Sequence, residues 1–397
     1  MLYTILRQLV ATVFKVYFRK IYLVGKEKIP SDDPVLISCN HPMAFTEACL
    51  LACFLDRPLY FLVRGDVFDS KWDWFLEKTH QIPIYRFRDG FSNMRRNASS
   101  FAWAHQALSD GKAILIFSEG NTKLQKKLSP LQKGLARLAF GAFEERNVRD
   151  LKIIPIGVNY ANGTAFRSDV MIQVGDPVDL GPYLSVFQSD GKAAARRLTE
   201  DLYQKMLPLV IHLDRDEDEP LASQLFEALD NQMPDEAWPI VDRDDRRFRR
   251  EKALADEINR LDTFGIEEAR AAYGRQLKEI GDIKSLRRSM KGIILFVLAP
   301  IAFLGFFVNL LPFYCAKMMA EKKVRKVEFY TPVRLGLHMV IYIIWMLLML
   351  IVLMYWVGWN ALWIVFLLPL AGYVTLIWWE GFCRPVLQTE DFATSHA

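Results

Sequence analysis

The chain has 397 residues, 52% of them hydrophobic, and a formal net charge of +4. At roughly 150 residues per domain it has room for about two or three domain-sized units, and the charge is too small to argue for a nucleic-acid partner. Its five cysteines, Cys39, Cys49, Cys53, Cys315 and Cys383, are an odd set without a CxxC pair. They argue against a disulfide framework or a zinc site and fit reduced thiols facing the cytoplasm.

At the N-terminus Leu2, Ile5, Leu6, Leu9, Val13, Phe14 and Tyr17 recur on one side at helical spacing. Residues 1–20 are expected as an amphipathic helix, membrane-associated or lying on its own domain. Arg7 and Lys15 interrupt the apolar run, which makes it a poor signal peptide and too short to span a bilayer.

From residue 21 to about 215, short β-type runs alternate with helical patterns. Strands are predicted at Val35–Ser38, Leu59–Val63, Ile82–Tyr85, Ala113–Phe117, Ile153–Val158 and Val170–Val174. Helices are predicted over 47–55, over 97–108 and after Pro130. This alternation predicts an α/β domain with a largely parallel central sheet flanked by helices. Residues 216–290 change character: charged residues are dense, helical periodicity runs over Arg249–Gly274, and Pro220, Pro234 and Pro239 break the stretch. A helical insertion with a solvated charged face is expected there.

The apolar blocks follow. Leu337–Trp356 and Leu362–Trp379 are each long enough to cross a hydrocarbon core of about 30 Å. Only Val357 to Ala361 joins them, so residues 335–380 are expected as a transmembrane hairpin, with Trp356, Trp359 and Trp363 at one interface and Trp378 and Trp379 at the other. Residues 291–334 hold a third apolar stretch, Ile293–Leu311, interrupted by Pro300, Gly305 and Asn309. Basic residues flank it on both sides, which favours a re-entrant or interfacial helix over a true span if positive charge stays on the cytoplasmic side. Anionic lipid headgroups suit those basic clusters, and residues 381–397 form a C-terminal tail.

Chemistry concentrates in three places. A strand delivers Asn40-His41-Pro42-Met43 to a turn, with Glu47 close behind. Six residues on a regular helix turn through roughly 600°, so the two side chains cannot share a helix face. His41 must therefore precede the helix that carries Glu47, and the chain must fold back for the carboxylate to hold the imidazole as a general base. A second strand ends in Phe117-Ser118-Glu119-Gly120, followed by Thr122 and Lys123, where glycine permits close backbone approach and lysine supplies charge. A third runs from Ile82 into Arg86 and Arg88, and arginine suits bidentate contact with phosphate. No Gly-x-Ser-x-Gly elbow marks a hydrolase.

In this order, with Ile154-Pro155-Ile156-Gly157 last, the motifs resemble the four blocks of the glycerolipid acyltransferases, the glycerol-3-phosphate and 1-acylglycerol-3-phosphate acyltransferase superfamily. The match covers roughly residues 20–178. The run from His41 through Pro42 to Phe45 looks like the bacterial and fungal branch that carries a C-terminal membrane hairpin. The resemblance implies that His41 and Glu47 are catalytic, that Arg86, Glu119, Gly120 and Thr122 bind the phosphorylated acceptor, with Arg88 and Lys123 beside them, and that Pro155 shapes the acyl-donor pocket. It departs in three places: the family acid is usually an aspartate after four intervening residues, where Thr46 stands; asparagine is common at Met43; and the third block usually has proline at Ser118.

The resemblance further implies a membrane-bound O-acyltransferase of phospholipid biosynthesis, its catalytic domain facing the cytoplasm. The donor is acyl-CoA or an acyl carrier protein, and no metal or other cofactor is expected. The expected acceptor is 1-acylglycerol-3-phosphate, then glycerol-3-phosphate, then another hydroxylated lipid such as an amino-lipid. A catalytically inactive lipid-binding relative is the alternative.

Overall fold

A computed structural model describes residues 1–65, 71, 73–85, 91–230, 239–261 and 289–382. Arg86, Arg88, the helical periodicity beyond 261 and the tail from 383 lie outside the described residues. Two units are distinguished, residues 1–261 with 327–331, and residues 262–326 with 332–397.

The first unit opens with α1 (Leu2–Tyr17), β1 (Lys20–Val24), β2 (Val35–Cys39), α2 (Phe45–Phe54), β3 (Leu59–Arg64), α3 (Asp73–Lys78) and β4 (Gln81–Ile84). It continues through α4 (Phe91–Ser109), β5 (Ala113–Phe117), α5 (Gly134–Arg146), β6 (Lys152–Tyr160), β7 (Asp169–Val174) and β8 (Val178–Asp179). It closes with α6 (Gly181–Ser189), α7 (Gly191–Met206), α8 (Glu219–Asp230), β9 (Ile240–Asp242) and α9 (Arg246–Arg260). The central strands are near-continuous apolar runs because both their faces are covered; β2 is buried at every position.

Among the described residues nine strands join in the order β4-β3-β5-β2-β6-β7-β1-β9, with β8 added to β6. The pairs from β4 to β6 are parallel. At β6–β7 the direction reverses, and β7, β1 and β9 are again parallel to one another. The largely parallel sheet is thus two parallel blocks joined along β6, against which both β7 and the short β8 run antiparallel. Leu36, Ile114 and Ile153 from the sheet pack into one core with Leu108 of α4, Leu138 of α5 and Leu198 of α7.

The N-terminal helix forms as expected and docks on its own domain. Ala11, Phe14 and Tyr17 are buried. Arg7, which breaks the apolar face, donates to the carbonyls of Cys53 (3.3 Å) and Leu55 (2.6 Å), where the unpaired carbonyls at the end of α2 favour a cation.

The charged region departs from expectation. Its β9 extends the sheet beyond β1, and its charges are not all solvated. Arg247 of α9 is 4% exposed, bonds Asp169 at the start of β7, and donates to Glu251 at 2.8 Å. Asp169, itself 1% exposed, also accepts from Arg19 at 2.7 Å. A three-residue strand in a charged segment carries too little periodicity to be read, and its partner β1 lies more than 200 residues earlier. Arg247→Met would take the guanidinium from Glu251 and leave Asp169 with Arg19, and removing one partner of a buried pair costs about 3–5 kcal/mol. The expected outcome is a loss at the lower end of that range, read as a fall in the denaturant midpoint.

The second unit contains α10 (Ser289–Lys323), α11 (Tyr330–Val357) from Pro332 onward, and α12 (Ala361–Phe382). α11 and α12 are joined by a short helical turn over Gly358–Asn360. Ile293–Leu311, expected as a re-entrant or spanning segment, lies within α10, one unbroken helix of 35 residues that passes through Pro300 and Pro312. At about 1.5 Å per residue it is roughly 50 Å long, more than the hydrocarbon thickness. By length and composition, Phe296–Lys323 and Val327–Glu380 are both sufficient to cross a membrane. Small residues set the α10–α12 contact: a Cβ at Gly305 would come within 2.2 Å of the Ala371 carbonyl, and Thr375 donates to the Ala302 carbonyl at 2.7 Å.

Candidate active site

The register of three neighbouring strands builds the site. Cys39 at the end of β2 lies opposite Phe117 on β5 and Ile156 on β6. Two residues further on, His41 and Glu119 leave the same end of the sheet side by side, and two residues beyond Val158 comes Tyr160. The carboxyl end of strands in a mainly parallel sheet is where ligands bind in α/β folds. Asn40 extends the pairing with its side chain, which donates to the Val158 carbonyl (2.9 Å) and accepts from the Val158 amide (2.8 Å).

His41 sits ahead of α2, as the spacing requires. Its Nδ1 is 3.1 Å from Oε2 of Glu47, whose side chain is fully buried while that of His41 keeps 15% exposure. A carboxylate partner sets the ring proton on Nδ1 and leaves Nε2 as the acceptor nitrogen. The other carboxylate oxygen of Glu47 accepts from the Met43 amide (2.7 Å) and the Tyr160 hydroxyl (3.0 Å). The imidazole also stacks on Phe117, with centroids 3.8 Å apart and planes 14° from parallel.

The chain folds back in a tight turn. The Thr46 amide donates to the Met43 carbonyl at 3.1 Å, and Ala44 has φ 48° and ψ −119°, the first central position of a type II′ turn, where glycine is the usual residue. This turn takes up the additional residue between His41 and its acid and brings Glu47 to the imidazole. Thr46, where the family acid usually stands, is buried with its hydroxyl unpartnered among the described residues. Backbone strain of this kind is of order 1–3 kcal/mol, partly offset by the greater unfolded freedom of glycine. Ala44→Gly should raise the unfolding free energy by about 1 kcal/mol with activity retained, measured by denaturant titration.

Glu119 braces the site. Its carboxylate accepts from the His41 amide (2.6 Å) and the Ser129 amide (2.7 Å), and the residue is 7% exposed. Burial pushes its carboxyl above the usual range, and the two backbone donors act against that rise. Glu119, expected to bind the acceptor, engages one backbone amide with each of its oxygens. Ser118 also has a local reason: its amide donates to the Cys39 carbonyl (3.3 Å), a bond proline lacks, and its hydroxyl is 2.6 Å from that of Ser38. Gly120 turns the chain with φ +65°, and a Cβ there would press on Gln132 at 2.9 Å.

The remaining expected residues are spread around this core. Thr122 is half-buried in the following loop. The Lys123 amide donates to the His41 carbonyl (3.3 Å), and its ammonium lies 3.5 Å from Asp216 at the surface. Pro155 is buried within β6 opposite Ser38, against Gly175, deeper in the sheet than His41. Arg86 and Arg88 lie outside the described residues. Sequence reasoning missed Tyr160, Ser129 and the bracing role of Asn40, because each acts through a contact set by strand register.

Residues 20–159 match the Acyltransferase family. A stretch of 73 residues is 34% identical to glycerol-3-phosphate O-acyltransferase 1 of Saccharomyces cerevisiae, covering 18% of this chain and 10% of that protein. Another of 128 residues is 26% identical to the probable 1-acyl-sn-glycerol-3-phosphate acyltransferase of Mycoplasma pneumoniae, covering 31% of this chain and 46% of that one. An Acyltransferase-family domain similar to the glycerolipid acyltransferases thus occupies residues 20–159. It spans less than half the length of either curated relative. Among solved structures, the 1-acyl-sn-glycerophosphate acyltransferase of Thermotoga maritima superposes with a TM-score of 0.36 at 15% identity, over 50% of this chain and 75% of that one.

Within this acyltransferase domain the brace makes a distinct claim. Glu119→Gln offers one acceptor where the site needs two and turns an amide N–H toward a backbone N–H. Leaving a buried donor unmet costs about 1–3 kcal/mol. The expected outcome is a loss of that size in unfolding free energy, with the KM for a phosphorylated acceptor unchanged.

Proposed function

We propose that this domain transfers a fatty acyl group from acyl-CoA or an acyl carrier protein to the hydroxyl of 1-acylglycerol-3-phosphate or glycerol-3-phosphate. The single observation that carries this reading is the buried Glu47 carboxylate held on Nδ1 of a partly exposed His41 at the carboxyl end of β2.

In this reaction Nε2 of His41 takes the proton of the acceptor hydroxyl as its oxygen attacks the thioester carbonyl carbon. The tetrahedral intermediate collapses, the C–S bond breaks, and the departing thiolate recovers the proton from His41. Glu47 stabilises the imidazolium between these two transfers. Such assistance is typically worth roughly 10²–10⁴-fold in rate. The names of the similar yeast and Mycoplasma proteins support the two acceptors, and Lys123 at the rim supplies positive charge for a phosphate. In this reading the domain faces the cytoplasm and works at a membrane. The apolar helices support membrane association, and Lys317, Lys322 and Lys323 near the end of α10 with Arg325 and Lys326 after it support that orientation.

The test uses full-length purified protein, labelled acyl-CoA and a panel of lysolipids. His41→Ala is expected to abolish acyl transfer, and transfer retained in that variant would sink the mechanism. Glu47→Asp should lose about ten-fold or more in kcat, because the shorter side chain cannot reach both His41 and Tyr160 from the same turn.

A further inference from the structure

We infer that Tyr160 is a positioning residue for the His41–Glu47 pair: its hydroxyl holds one carboxylate oxygen of Glu47 so that the other stays aimed at the imidazole. This inference rests on the general-base reading of His41. It concerns a residue one position beyond the stretch that matches the family.

Three donors surround the Glu47 carboxylate. Its Oε2 meets His41 Nδ1 at 3.1 Å, and its Oε1 accepts from the Met43 amide and the Tyr160 hydroxyl. The Met43 amide belongs to the same turn as His41, so on its own it would let the turn and the carboxylate shift together. Tyr160 is different. It ends β6, pairs with Val170 of β7, and its carbonyl accepts from Lys126 Nζ at 3.0 Å. Its ring is 6% exposed and lies 6.0 Å from that of Phe18. The hydroxyl is therefore fixed by the sheet, and it ties the carboxylate to a frame outside the turn.

The donor is also permanent. Burial, and then the Glu47 charge, push the phenol well above its ordinary range, so it keeps its proton at any working pH. The other titratable groups facing Glu47 are the thiols of Cys39 on β2 and Cys49 on α2. Burial pushes both up, Cys49 to about 11, so they stay neutral and bring no competing charge.

Two consequences separate this role from simple packing. A hydrogen bond to a charged group is worth about 1.5–3 kcal/mol, so losing it at the catalytic pair lowers kcat by roughly 10- to 100-fold while leaving substrate binding alone. Without the hydroxyl, the carboxylate charge is also less dispersed and holds an imidazolium more strongly. The acidic limb of the kcat/KM profile then moves to higher pH.

The experiment measures acyl transfer from palmitoyl-CoA to 1-acylglycerol-3-phosphate by the full-length protein in detergent micelles. Tyr160→Phe is expected to lose about 10-fold or more in kcat, to keep both KM values within about two-fold, and to shift the acidic limb upward. Installing 3,5-difluorotyrosine at position 160 keeps the ring and strengthens the donor, and it should shift the limb downward even if the phenylalanine variant does not fold. A Tyr160→Phe protein that only melts earlier, with kcat and the limb unchanged, overturns the inference, as does an unmoved limb in the fluorinated protein. His41→Ala run alongside separates the two claims. If it is inactive while Tyr160→Phe is normal, only the positioning role falls; if it is active, the general-base reading falls first.

Discussion

The site depends on one buried carboxylate. Glu47 is out of water, and a carboxylate there must be met by hydrogen-bond donors. It is met by three donors from three places: the imidazole ahead of α2, the Met43 amide in the turn, and the Tyr160 hydroxyl at the end of β6. His41 and Met43 belong to one turn, and Tyr160 ties that turn to the sheet. Satisfying the carboxylate therefore fixes the turn, the register of β6 against β2, and the orientation of His41 together.

The same logic explains why the spacing departs from the family without breaking the pair. Moving the acid one position along would rotate it by about 100° around α2 if the chain entered the helix unchanged. The II′ turn at Ala44 changes the entry instead, at the expense of a backbone conformation that alanine tolerates poorly. The longer side chain then spans the remaining gap. Glutamate and turn belong together, and neither is a neutral replacement in isolation.

Much of the first unit was legible because its strands are short apolar runs punctuated by glycine, proline and polar residues. The same runs, prolonged past the length of a bilayer, marked α11 and α12. Spacing alone put His41 on a turn, since six helical residues cannot return to one face. What escaped is of another kind. The strand β9 holds three residues inside a charged segment, and the burial of Arg247 depends on Asp169, far away in sequence. The continuity of α10 was hidden by Pro300, Gly305 and Asn309, although neighbouring helices can satisfy carbonyls that a proline frees. Tyr160 finds Glu47 only once β6 is laid beside β2, which no local pattern states.

Glu119 shows how a shared motif can hide a structural task. An acidic residue followed by glycine at a strand end looks like a ligand site, and in this chain the glycine does make the turn. The carboxylate, however, joins two backbone amides from opposite sides of the strand end, His41 on one and Ser129 on the other. It sets the height of the histidine above the sheet while Glu47 sets the ring's orientation. Two carboxylates thus control one imidazole, one through its backbone and one through its side chain. Both contacts are made to backbone amides, so Lys123, whose ammonium lies beside Asp216, stays outside this inner arrangement.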